Sequence, residues 1–215
     1  MTDTFKCFSD LRARRSRSFK IERQLVDDRF LIFTPHGGGI EPGTTELCKW
    51  FSRRSYSYYS FTGVGRKCKD LHITSTRFDE PQLLKLLRNH AKAVSFHGMT
   101  DEMKKKVQGD IFLGGLDVKL RTNIGKQLTK AGFSVSTPEV FPNSRMSALN
   151  VKNVTNKCSG GKGVQIELSD SIRKAFFSAN YKTRIGRSKT TATFDKFCKT
   201  LQHALDGASN IRTTV

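Results

Sequence analysis

Short apolar runs alternate with amphipathic helical stretches along most of the chain, and this alternation limits the fold more than any other feature. Residues 29–34 (Arg-Phe-Leu-Ile-Phe-Thr) are nearly continuous in apolar side chains and lie between Asp27-Asp28 and Pro35. Such a run predicts a strand buried on both faces. Further strands are expected at residues 19–26, 56–61, 71–75, 93–96, 110–113, 133–137 and 163–168. Helices are expected at 9–15, 46–52, 81–89, 117–130, 170–178 and 193–204, with a polar loop over 143–161. Pro81 starts one helix and Gly132 stops another, each in its customary place. Strands that alternate with helices imply an α/β protein: a single-domain mixed, largely parallel sheet flanked by helices. That domain is expected to span 1–215, with a core at about 19–177 and a C-terminal basic loop and helix within 180–215.

Charge narrows the partners. Lys and Arg number 38 against 19 Asp and Glu, which leaves +19 at pH 7. A balance of this kind suits a polyanion, and nucleic acid, an anionic membrane and a poly-acid polymer all satisfy it. A mean hydropathy of -0.47, with no run of about 18 apolar residues, excludes a membrane-spanning helix. Cys7, Cys48, Cys68, Cys158 and Cys198 are odd in number, widely spread and without a Cys-x-x-Cys pair, so reduced thiols in a cytosolic setting are expected. No apolar segment follows the charged N-terminus, so no Sec-type signal is visible. A cytoplasmic location is expected, lysis being the route out if the protein works outside its cell. A monomer with no membrane partner is expected.

Three residues stand near strand ends, where open α/β sheets gather ligands. His36 follows the apolar run in Pro35-His36-Gly37-Gly38-Gly39-Ile40-Glu41, His97 follows Val94-Ser95-Phe96, and Glu167 closes Val164-Gln165-Ile166. The glycines allow a sharp turn that returns Glu41 beside the imidazole. Two imidazoles and a carboxylate form a ligand set of catalytic zinc, and a further carboxylate supplies a proton acceptor. Two other readings stand beside this one: structural histidines after strands, and a glycine-rich cradle for phosphate. Against the cradle, no Walker lysine or dinucleotide pattern is present, and Glu41 would repel a phosphate.

Several stretches in fixed order resemble the phage-type poly-gamma-glutamate hydrolase family, also labelled phage-related replication proteins. They are His36-Gly-Gly-Gly-Ile-Glu41-Pro-Gly-Thr-Thr-Glu46, Leu71-His72-Ile-Thr-Ser75 with Phe78-Asp79-Glu80-Pro81, and Ala93-Val-Ser-Phe-His97-Gly98. Gly114-Gly115-Leu-Asp117, Asn153-Val-Thr-Asn156-Lys157, Gly161-Lys-Gly163-Val-Gln165-Ile-Glu167-Leu-Ser169 and Arg173 complete the set. The resemblance implies a zinc-carboxypeptidase-like fold and a zinc-dependent amidohydrolase that cleaves γ-glutamyl amide bonds of poly-γ-glutamate or a similar carboxylate-rich polymer. It implies one Zn2+ held by His36, Glu41 and His97, with Glu167 as the general base. Lys157-Cys158 depart from the expected Arg-Gly, and the segment from Asn180 onward looks peculiar to this chain.

Arg173 and Arg121 are candidates to hold substrate carboxylates bidentately, and Asn153 and Asn156 to orient substrate. His72 is expected to be a supporting strand histidine, and His90 and His203 surface residues on helices. The aromatic run Tyr56, Tyr58, Tyr59 and Phe61 is expected to fill a sheet face. The rival function is a basic phage-type nucleic-acid-binding accessory protein without catalysis, which the charge supports equally.

Overall fold

The structure, a computed structural model, describes residues 3–54, 56–142 and 144–209. The ends of the expected domain (1–2 and 210–215) and the first residue of the expected 143–161 loop lie outside these. The strands are Phe19–Gln24 (β1), Phe30–Gly38 (β2), Ser57–Gly63 (β3), Lys92–Gly98 (β4), Ile111–Gly114 (β5), Val135–Ser136 (β6) and Val164–Leu168 (β7). The helices are Phe8–Arg15 (α1), Thr44–Ser52 (α2), Pro81–Arg88 (α3), Asp101–Val107 (α4), Val118–Lys130 (α5), Asp170–Ala175 (α6) and Ala192–Ser209 (α7).

All seven strands join one sheet in the order β1-β3-β2-β4-β7-β5-β6. The pairs β2/β3, β2/β4, β4/β7 and β5/β6 are parallel, and β1/β3 and β5/β7 are antiparallel. The sheet is therefore mixed and largely parallel, as the alternation predicts. Its two faces are covered separately. Phe30, Ile32, Val94, Phe96, Val164, Ile166 and Leu168 pack against side chains of α2, α5 and α7 in one cluster. Leu31, Phe33, Tyr59, Phe61 and Ala93 pack on the other face with Phe5, Phe8, Leu11 and the leucines of α3. Tyr59 and Phe61 thus fill a sheet face, as the aromatic alternation implies. All five cysteines are free, and no helix among the described residues is long and apolar enough to cross a membrane.

Local rules account for most helix ends. The Glu80 carboxylate accepts from the N–H groups of Gln82 and Leu83 ahead of Pro81, and Asp117 accepts from Leu120 N–H. Two expectations need correction, and one helix was not foreseen. The strand expected to stop at Pro35 runs on to Gly38: β4 pairing ends at Phe33, a register shift between Thr34 and Gly37 absorbs the proline, and Gly37-Gly38 rejoin β3. Residues 71–75 form no strand. A 3-10 turn over Cys68–Leu71 leads into backbone that is extended at His72 but has no sheet partner. Helix α4 had no apolar period to reveal it. Thr100 caps it through Met103 N–H, acids occupy its first turn and Lys104–Lys106 its last.

Candidate metal centre

β2, β4 and β7 lie side by side, and each carries one residue of the site. His97 and Glu167 are register partners on β4 and β7, so their side chains leave the same face of the sheet. His36 stands within the irregular stretch of β2 between Thr34 and Gly37. The chain then turns back: Glu41 N–H donates to the His36 carbonyl at 2.9 Å. Glycine is needed here because Gly38 has φ +67° and a Cβ on Gly37 would lie 2.2 Å from Thr45 Oγ1. The turn brings Glu41 Oε1 to 3.1 Å from His36 Nδ1 and Oε2 to 3.7 Å from His97 Nδ1. The two Nδ1 atoms are 3.2 Å apart. Gly98 N–H donates to Glu41 Oε2 at 2.9 Å and holds the carboxylate in place.

The hydrogen-bond polarity of this cluster suits a proton or a metal ion. His36 Nε2 is 2.8 Å from the Ile73 carbonyl, which can only accept, so the ring proton sits on Nε2. In the neutral ring, the Nδ1 lone pair then faces the Glu41 carboxylate and His97 Nδ1. Only a proton or a metal ion relieves that opposition. Ligand atoms ~2.0–2.2 Å from one tetrahedral centre stand about 3.3–3.5 Å apart, close to the separations here. Within the described residues, His36, Glu41 and His97 form a group whose candidate ligand atoms all lie within 4.8 Å of one another. The residues therefore fit a zinc ion of the His-His-carboxylate type.

Protonation follows the same lines without a metal. Burial depresses His97, and the neighbouring imidazoles add to it, taking the pKa down to about 3 despite Glu41. His36 moves the other way: burial disfavours its charge, but Glu41 and the Ile73 carbonyl outweigh that and raise it. Burial opposes ionisation of Glu41, yet His36 above all holds it down to about 2. Glu167 is pushed well above the usual carboxylate range, by burial first and by the Glu41 charge second, with Arg173 and Gln165 opposing.

Sequence reasoning missed Gln165. Its Nε2–H donates to Glu167 Oε1 at 2.9 Å, and its Oε1 accepts from Asn153 Nδ2–H at 3.0 Å. Asn153 Oδ1 in turn accepts from Thr155 N–H, which fixes the direction of the whole chain of bonds. Glu167 Oε1 is thereby an acceptor, and a proton on this carboxyl belongs on Oε2. Strand alternation was the available signal, since Gln165 sits two residues before Glu167 on the same face.

The four residues expected to bind substrate have partners within the protein. Arg173 is 4 % exposed and donates to the carbonyls of Leu168, Pro42 and Met99 and to Asp170. Arg121 is buried against the Gly115 carbonyl and Glu139. Asn156 accepts from Leu116 and Gly163 N–H and donates to the carbonyls of Ala148 and Asn150. Asn153 belongs to the Gln165 chain. All four side chains thus make hydrogen bonds or ion pairs within the protein. His72 stacks on His36 at 4.2 Å between ring centres, from a loop instead of a strand. His90, expected at the surface, is buried and donates from Nδ1 to the Leu86 carbonyl at the end of α3.

Comparison with known proteins follows the same pattern. A family model described as poly-gamma-glutamate hydrolase matches residues 5–200. The SPbeta prophage-derived UPF0714 protein YoqZ of Bacillus subtilis (strain 168) is 40% identical over 190 residues, which cover 87% of this chain and 66% of that protein. This chain therefore spans slightly less than two thirds of that relative. A solved bacteriophage poly-gamma-glutamate hydrolase superposes with a TM-score of 0.89 at 31% identity, covering 98% of this chain and 100% of the other. A zinc-free structure of YndL superposes with a TM-score of 0.85 at 28% identity, covering 96% and 99%. Because the family match runs to residue 200, the segment from Asn180 to there is shared, contrary to the sequence expectation.

Proposed function

The chain belongs to the poly-gamma-glutamate hydrolase family, and from that premise we propose that it is a zinc-dependent amidohydrolase acting on γ-glutamyl amide bonds of poly-γ-glutamate or a similar carboxylate-rich polymer. One observation carries the metal half of this reading: a proton on His36 Nε2 leaves its Nδ1 lone pair facing a carboxylate and a second imidazole. His36, His97 and Glu41 would hold the ion. The YndL structure is described as zinc-free, which makes zinc the first ion to test. When bound, zinc supplies Lewis-acid chemistry, polarising a carbonyl and lowering the pKa of a water.

The protein's own groups do the rest. Glu167 takes the proton of the attacking water on Oε2, because Gln165 keeps Oε1 as an acceptor. It returns that proton to the leaving amine as the amide bond breaks, so the products are a carboxylate and an amine. Arg173, buried beneath Gly98, supplies positive charge that steadies Glu167 as an anion. The charge of +19 steers a polyanion towards the cleft at low salt.

The test is incubation with poly-γ-glutamate, with and without a chelator, while polymer length is followed. Shortening that a chelator abolishes and zinc restores is expected. Cleavage indifferent to chelator would remove the metal. No cleavage of any amide polymer, together with tight DNA binding, would favour the nucleic-acid-binding reading.

A further inference from the structure

Asp3 lies far from the site in sequence, and nothing in the proposed chemistry uses it. Its side chain is 1 % exposed although the residue stands near the chain start. One carboxylate oxygen accepts from His72 Nδ1–H at 2.9 Å; the other accepts from Thr74 N–H at 2.8 Å and pairs with Arg77. Both His72 and Thr74 flank Ile73, whose carbonyl accepts from His36 Nε2–H. The His72 ring lies over the His36 ring at 4.2 Å. The 72–74 segment thus meets His36 on two sides, yet no strand pairs with it.

The N-terminal segment is itself anchored. Phe5 and Phe8 are buried in the core on this face, and Phe8 N–H donates to Asp79 Oδ1 at 2.7 Å. Two carboxylates therefore clasp the segment to the 72–79 loop, one from each side. Of these two carboxylates, Asp3 is the one that bonds His72 and Thr74.

We propose that Asp3 is a positioning residue for the metal centre: its carboxylate clamps the His72–Thr74 segment so that the Ile73 carbonyl keeps the His36 proton on Nε2 and leaves Nδ1 free for the ion. The inference rests on the metal reading above. The group that bonds the ligating imidazole directly is the Ile73 carbonyl, a contact of a kind worth roughly 10–100-fold in metal affinity, and Asp3 acts through it.

The experiment measures zinc dissociation constants by competition with a chromophoric chelator, on metal-stripped protein. Asp3→Ala is expected to weaken zinc binding by about 10–100-fold. Asp79→Ala, which loosens the same docked segment without touching His72 or Thr74, should change it less than about twofold. Circular dichroism and melting temperatures of the metal-free variants check that both stay folded. Should Asp3→Ala fail to fold, Asp3→Asn serves. It keeps an acceptor for Thr74 but loses the second anionic oxygen, and zinc binding should weaken several-fold. Unchanged affinity in the folded Asp3 variant, or an equal loss in Asp79→Ala, overturns the clamp. Wild-type protein that binds no zinc overturns the metal reading itself, a result separable from an Asp3 variant that behaves as wild type.

Discussion

The two faces of β4 and β7 make opposite uses of the same ten or so residues. On one face Val94, Phe96, Val164, Ile166 and Leu168 meet helices and form ordinary core. On the other, Ser95, His97, Gln165 and Glu167 are just as buried but polar. Buried polar groups are tolerated only when partnered, and partners are present: Ser95 with Thr155, Gln165 with Asn153 and Glu167. The arrangement changes at the carboxyl end, where the Nδ1 atoms of His36 and His97 stand 3.2 Å apart and His97 Nε2 has no hydrogen-bond partner among the described residues. A central parallel strand normally reads as apolar on both sides. Here the departure from that rule marks the site.

Substitutions on the two faces should fail in different ways. The largest effect is expected from His97→Ala, which should reduce bound zinc from about one ion per chain to under about a tenth while the fold survives. Elemental analysis of the purified variant checks this. Glu167→Gln should keep its zinc and lower kcat by about 10²–10⁴-fold, read from initial rates on the polymer. Gln165→Leu leaves Glu167 Oε1 without its donor and should cost about tenfold in kcat, with zinc content unchanged. Ile166→Ala, one residue away on the opposite face, should do the reverse: about 2–5 kcal/mol of stability lost in denaturant titration, with zinc affinity retained. An Ile166 variant that lost its metal, or a His97 variant that unfolded, would break the division between the faces.

Acid should sharpen the same contrast more weakly. In metal-stripped protein, His97 stays neutral down to about pH 3, while in the unfolded chain it takes up a proton below roughly 6.5. Its contribution therefore falls as pH drops from about 6.5 towards 3. Glu41, depressed to about 2, adds stability above its unfolded value near 4.3 that is lost as pH falls towards 2. His36 is raised, so its contribution is full below about 6.5 and fades as pH rises through its folded value. Glu167, raised well above the usual carboxylate range, works against His97 until the pH reaches its unfolded value of about 4.3. Melting temperatures of the stripped protein should therefore fall most clearly on acidification below about pH 4.3. Ile166→Ala should lower that curve without changing its shape.

Much of this was legible before any coordinates. The apolar run of β2 and the Pro81 and Gly132 boundaries follow from local rules that tertiary packing left intact, whereas the choice of His36, Glu41 and His97 as ligands came from the family resemblance. What stayed hidden depended on distant partners. Pro35 reads as a strand end unless the bulge onto β3 is known. Residues 71–75 carry strand-like side chains, but their hydrogen bonds go to Asp3 and His36. The arginines and asparagines of the motifs are polar and suited to substrate. Whether such groups face a cleft or a row of backbone carbonyls depends on contacts such as Arg173 to Pro42, 131 positions apart.

Anomalous scattering at the zinc absorption edge, from crystals of the zinc-loaded protein, tests the central claim most directly. A single peak within bonding distance of His36 Nδ1, His97 Nδ1 and a Glu41 carboxylate oxygen is predicted. No peak there, or one held by other side chains, would contradict it.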